Sequence, residues 1–252
     1  MPIEPINSKF NWAGRHFERL NTEIAEYLKI NPCKFVPKPN VSIDEHGRSW
    51  VTGTFEAVEP IPEPLPLILG DCLANLRSTL DYLVWELVGA NGKEASISNA
   101  FPIAHTLDTY NEEIKRGRLA NVAPEAIAII QSLQPYHLPI PEESLLSILH
   151  KLTNINKHRR ILLTCLRTIG PVPDMQFVGD QAFAIVDPPT SEGNAEFGPF
   201  EVFGNQVKVE ADLVAYVAFD EAPVQGFGIY GLIEAISRVI DTKIFAKLEH
   251  FL

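Results

Sequence analysis

Apolar positions recur with helical spacing over much of the chain and give way to strand-like runs in two stretches. Phe10, Ala13, Phe17, Leu20, Ile24 and Tyr27 alternate steps of three and four, which predicts an amphipathic helix over about residues 10–28. Asn31-Pro32 stops it. CKFVPKPNVSI and RSWVTGTFEAV flank the turn DEHG and predict a hairpin over residues 33–58. Pro60, Pro62, Pro64 and Pro66 then fall on every second position, which predicts an extended, stiff connector.

The next segment, residues 65–90, carries the strongest pattern. Leu69, Leu73, Leu76, Leu80, Leu83 and Leu87 form an unbroken ladder, and Cys72, Val84, Trp85 and Val88 widen it. Asp71, Arg77, Asp81 and Glu86 are its only charges. A helix this apolar around its circumference belongs in the middle of a bundle. A loop containing FPI follows, then short helical patterns at 124–133 and 142–158. Glu142 and Glu143 suit the N-terminal dipole of the second. Residues 161–220 read as strands separated by Gly, Pro and Asp. Leu232, Ile236, Ile240, Ile244 and Leu248 predict a last helix over 228–251. The expectation is an α+β fold: a helical bundle with an antiparallel β-sheet packed against it, as one composite domain over residues 1–252.

Composition narrows the setting. The chain has 252 residues, 46% of them hydrophobic, and a formal net charge of −11. Cys33, Cys72 and Cys165 are odd in number and far apart, which fits neither a disulfide framework nor a zinc site. A reducing compartment follows. The opening MPIEPINSKFNWAGRHFERL lacks the apolar core of a signal peptide, and no apolar run approaches the ~20 residues of a membrane span. The expectation is a cytoplasmic protein with no membrane partner. Its acidity argues against broad adhesion to nucleic acid but leaves room for a local basic site.

Two constellations could carry chemistry. Arg77 and Asp81 lie four apart and share a face of the apolar helix. If buried they must pair, either as a structural ion pair or as part of a site. The second is LHKLTNINKHRRILL, residues 149–163. Between Ser144 and Pro173 there is no Asp or Glu, yet Lys151, Lys157, Arg159, Arg160 and Arg167 fall there. His150, Asn154 and His158 recur every four residues. Cations at a helix C-terminus stabilise its dipole by a few tenths to about 1 kcal/mol each, which accounts for one or two of them. An anionic ligand would require the rest. His46, His105 and His137 stand in loops without metal spacing, so no metal or cofactor is expected. There is no GxGxxG, no GxxxxGK followed by Ser or Thr, and no GxSxG. GFGIYG, from Gly226, reads as a turn.

Four blocks carry a resemblance: NLRSTLDYLVWEL from Asn75, FPI from Phe101, LQPY from Leu133 and LHKLTNINKHR from Leu149. In this order they resemble a family of uncharacterised bacterial proteins with the pattern NLRSALDHLVWQL, FPI, LQPY, LHxLxNxDKHR, over about residues 69–160. More distantly the chain resembles HEPN domains, helical bundles of bacterial toxin and defence proteins. Many of those are dimeric, metal-independent ribonucleases whose motif sets four to six residues between an arginine and a histidine. The resemblance places Arg77 at the arginine. Tyr82 stands where relatives have the histidine, leaving His158 to supply an imidazole from another helix. In such cleavage a base takes the ribose 2′-OH proton while cations stabilise the charge on phosphate.

The resemblance implies an RNA- or nucleotide-binding protein, and in its stronger form a metal-independent endoribonuclease or a degenerate relative. Arg77 and His158 would be catalytic, Asp81, Tyr82, Asn154, Lys157 and Arg159 would bind, and a homodimer is expected. The competing reading is a non-catalytic binding or scaffold protein in which both constellations form an internal polar network. A third, a hydrolase of a small phosphorylated molecule, has no motif behind it.

Overall fold

The computed structural model describes residues 3–169, 176–178, 182–184, 197–203, 206–208 and 213–252. Helix α1 (Ile3–Lys29) begins seven positions before the expected Phe10. Ile6 extends the apolar stripe by one more step and is buried, while Pro5 sits in the first turn, where its missing N–H costs nothing. The helix stops at Asn31, whose backbone adopts the left-handed region at φ 52°.

Strands β1 (Cys33–Ile43) and β2 (Ser49–Ala57) pair antiparallel, with Cys33 opposite Ala57 and Ile43 opposite Ser49. The register slips between Pro37 and Val41, as prolines on an edge strand allow. Asp44 builds the turn: its Oδ1 accepts from the N–H groups of His46 and Arg48, both at 2.9 Å. Gly47 supplies the positive φ of 73° the turn needs.

Helix α2 (Pro64–Ala90) takes in Pro64 and Pro66, which were expected in the extended connector. Both lie in its first turn, so the helix loses no internal hydrogen bond to them. Every leucine of its ladder is buried. It runs antiparallel to α1: Cys72 Sγ donates to Ala13 O at 3.4 Å, and further along Lys9 sits over the Tyr82 ring.

A helix not expected from the pattern, α3 (Leu107–Lys115), fills part of the FPI loop. It is short and mostly polar, buries Tyr110, and is capped by Thr106, whose Oγ1 accepts from Thr109 N at 3.1 Å. Helix α4 (Pro124–Ser132) follows as expected. Helix α5 (Leu145–His158) starts three residues later than expected. Ser144 is its N-cap, accepting from Leu146 N at 3.2 Å, and Glu142 and Glu143 fall in a separate 3₁₀ turn.

Among the described residues the expected single sheet is three antiparallel ones. β1 and β2 continue through β6 (Phe197–Phe203) and β7 (Gln206–Lys208) in the order β1-β2-β6-β7. β3 (Leu163–Ile169) pairs along its whole length with β8 (Leu213–Phe219). β4 (Gln176–Val178) pairs with β5 (Ala182–Ala184). β3 packs on the hairpin and shares no backbone ladder with it; its ladder partner is β8.

The last helix also divides. α6 (Ile229–Val239) passes into a π-helical turn, Ile240–Phe245, before α7 (Ala246–Leu248) and a closing 3₁₀ turn. The cause is in the spacing: apolar residues every four positions outrun the 3.6 of an α-turn, and one wider turn brings the stripe back inward. All five of its apolar positions are buried as a result. One continuous cluster of buried side chains joins α1, α2, α4, α5, β3, β8 and α6. No described helix is long and apolar enough to cross a membrane.

Candidate functional site

The α2 constellation grips backbone. Arg77 Nη2 lies 3.1 Å from Asp81 Oδ1 and donates to the carbonyl of Phe101 at 2.7 Å. Asp81 Oδ1 accepts from the N–H of the same Phe101 at 2.9 Å. The two side chains are 17% and 34% exposed. Burial pushes the Asp81 carboxyl up, with the Arg77 guanidinium and the Phe101 N–H opposing; burial likewise lowers Arg77, with Asp81 opposing. Each member of the charged pair bonds the other and one backbone group, while Arg77 Nη1 is buried with no hydrogen-bond partner among the described residues.

Gln134 completes the grip from the other side. Its Nε2 donates to Pro102 O and Ile130 O, and its Oε1 accepts from Ala104 N, all at 3.0 Å. Three of the four sequence blocks therefore meet around residues 101–104. The next residue, His105, is carried by this clamp to the rim of a cleft.

That cleft, about 580 Å³, is lined by one face of α5. His150, Asn154 and His158 stand on it in line, as their spacing of four requires. Ser147, Lys151, Arg159, His105 and Glu142 complete its polar lining. Asn154 Nδ2 lies 3.0 Å from His150 Nε2, and Lys157 Nζ donates to Asn154 Oδ1 at 3.4 Å. This chain makes His150 Nε2 an acceptor, which leaves the imidazole proton on Nδ1. Burial first, then the cations Arg77 and Lys157, hold His150 below the ordinary imidazole range. It is neutral at pH 7.

Folding neutralises part of the basic run. Arg159 Nη2 lies 2.6 Å from Glu221 Oε2, and the buried Glu221 (8% exposed) also accepts from Leu162 N at 2.7 Å. Arg160 reaches Glu63 at 3.4 Å. Arg167 lies over the Phe55 ring and donates to Asn31 Oδ1. Lys151 and His158 are exposed and have no ion-pair partner among the described residues.

Of the seven residues singled out from sequence, Asn154, His158 and Arg159 line the cleft, with Lys157 held against Asn154. Arg77 and Asp81 stand behind it on the clamp. Tyr82 lies elsewhere, on the α1 side, with Lys9 Nζ 5.6 Å from its ring centre. The sequence reading missed His105, Glu142 and Lys151 as neighbours in one cleft, since only the clamp and the Pro141–Glu143 turn bring the first two there. It also missed that Cys33 and Cys165, far apart in the chain, lie side by side, Sγ to Sγ 3.0 Å. Among the described residues no group of three His, Cys, Asp or Glu side chains could hold a metal ion.

Comparisons with protein-family models, with characterised proteins and with solved structures return no match.

Proposed function

We propose that the α5 cleft binds a phosphate-bearing ligand, RNA or a free nucleotide, and that Arg77 and Asp81 serve as its structural footing. The observation that carries this is the convergence of His105, His150, Lys151, His158 and Arg159 on one cleft of ligand size. Lys151 supplies an unpaired cation, and Arg159, held at one end by Glu221, is preorganised. Neutral His150 offers its Nδ1–H as a donor. The α5 carbonyl dipole offsets part of this positive charge, so binding is modest and falls with salt.

The HEPN-like reading rests on the helical bundle and on Arg77 at the motif's arginine, and the dimer and the nuclease activity come with it. If the chain cleaves RNA, His158 is an exposed imidazole beside the cations, and Arg77 is already engaged with Phe101. Cleavage would then need no metal and would survive EDTA. Tyr82→His restores the arginine–histidine spacing but sets the imidazole beside Lys9, so it should add no activity.

The test is fluorescence anisotropy with a labelled single-stranded RNA and, in competition, ADP. Lys151→Gln/His158→Gln should weaken binding at least about tenfold, the scale of one or two lost charge-assisted hydrogen bonds, with an unchanged melting curve. A second reading, a non-catalytic scaffold, is favoured by the way Arg77, Asp81 and Gln134 are consumed in holding residues 101–104. No binding of either probe at low salt would leave that reading standing.

A further inference from the structure

We propose that Cys33 and Cys165 are a redox pair that closes reversibly into a disulfide, fastening the β1–β2 hairpin to β3. Cys33 is the first residue of β1, and Cys165 lies in β3, 132 positions further on. Both are free thiols, 2% and 3% exposed, with Sγ atoms 3.0 Å apart. A disulfide needs about 2.05 Å, so each sulfur has to move by only about half an ångström. The strands belong to different sheets that share no ladder, so the bond would join two units otherwise held by packing and a few side-chain contacts, among them Cys33 Sγ with Cys165 O and Arg167 with Phe55.

The surroundings divide the labour between the thiols. The hydrogen bond shared with Cys165 holds Cys33 below the ordinary thiol range against the opposing effect of burial, and Arg167 adds to it. Cys165 is pushed up by that same shared hydrogen bond and by burial. Cys33 is thus the nucleophile and Cys165 the resolving thiol. Cys33 also sits between exposed Asn31 and Lys34 where the chain enters the sheet, so a small local opening admits a small oxidant. Cys72 is the internal control: it is buried, donates to Ala13 O, and is pushed up to about 12 by burial.

The oxidant is hydrogen peroxide. The Cys33 thiolate attacks one peroxide oxygen, the O–O bond breaks, and Cys33 becomes a sulfenic acid while the leaving oxygen departs as water after protonation. Cys165 then attacks the Cys33 sulfur. The S–O bond breaks, and hydroxide leaves with the Cys165 proton as water. Two thiols lose two electrons and two protons; the peroxide becomes two waters.

The experiment treats the reduced full chain with a small excess of hydrogen peroxide, then alkylates it in denaturant and maps it by mass. The expected result is a Cys33–Cys165 peptide with Cys72 still alkylated. The crosslinked chain should melt at least about 5 °C above the reduced one, because a loop this long restrains the unfolded state. Dithiothreitol should reverse both changes. Cys33→Ala and Cys165→Ala chains, checked for fold by circular dichroism, should show neither. Three alkylatable thiols after peroxide, sulfinic acid on Cys33 without a crosslink, or a bond between two chains would each overturn the proposal. The mapping uses the unsubstituted chain, so the outcome stands even if a substituted one fails to fold.

Discussion

Asp81 has one oxygen shared between a guanidinium and a peptide N–H, and that sharing sets what its loss would cost. Asp81→Ala strands Arg77 and the Phe101 N–H together. The expected loss is about 2–3 kcal/mol, under the 3–5 for a fully buried pair because a third of the side chain meets solvent. Chemical denaturation measures it, and an unchanged midpoint would mean that the clamp holds nothing. His150 makes a prediction in pH. Its folded value is lowered, so the unfolded chain takes up the proton first. Its contribution is complete above about 6.5, the ordinary value, and is lost as pH falls below that toward the lowered folded value. His150→Gln should flatten the loss of Tm between pH 7.5 and 5.5; an equally steep loss would place the titration elsewhere. The spacing of Arg77 and Asp81 was legible as a pair sharing a helix face. That the pair holds Phe101 was not, because its partner lies 24 positions away in a loop with no pattern of its own.

At the scale of elements, the approach of α5 to α2 decides whether the cleft exists. A Cβ on Gly70 would collide with the whole Asn156 amide. Gly70→Ala gains about 1 kcal/mol of helix propensity but forces this amide out, an overpacking cost of about 1–3 kcal/mol. The net expectation is a small loss of stability that turns to a gain in the Gly70→Ala/Asn156→Ala chain. A double-mutant cycle reads this coupling, and additive effects would show that the helices are not in contact there. The long helices were readable because their apolar stripes repeat over several turns: Leu69 to Leu87 in α2, Phe10 to Tyr27 in α1. α3 escaped because nine residues with one buried tyrosine make no stripe. The π turn was present in the sequence as a repeat of four read as a plain helix. The division of the strands among three sheets was not legible, since alternation shows which residues pair but not with whom.

For the whole molecule, a net charge of −11 and a run of five cations without a carboxylate raised the same question. Tertiary structure answers part of it. Glu221 and Glu63 return from distant segments to Arg159 and Arg160, and Arg167 lies over Phe55. Lys151 and Lys157 remain beside three histidines, one of them held neutral. The basic site is thus smaller than its sequence suggests, and it is confined to one cleft. The most direct measurement is the salt dependence of single-stranded RNA affinity. Two or three phosphate contacts, from Lys151, Lys157 and Arg159, predict a slope of log affinity against log salt of about −1.4 to −2. That slope should shrink by about 0.7 in Lys151→Gln. A slope near zero, or one that Lys151→Gln leaves unchanged, would contradict a phosphate-binding cleft on α5.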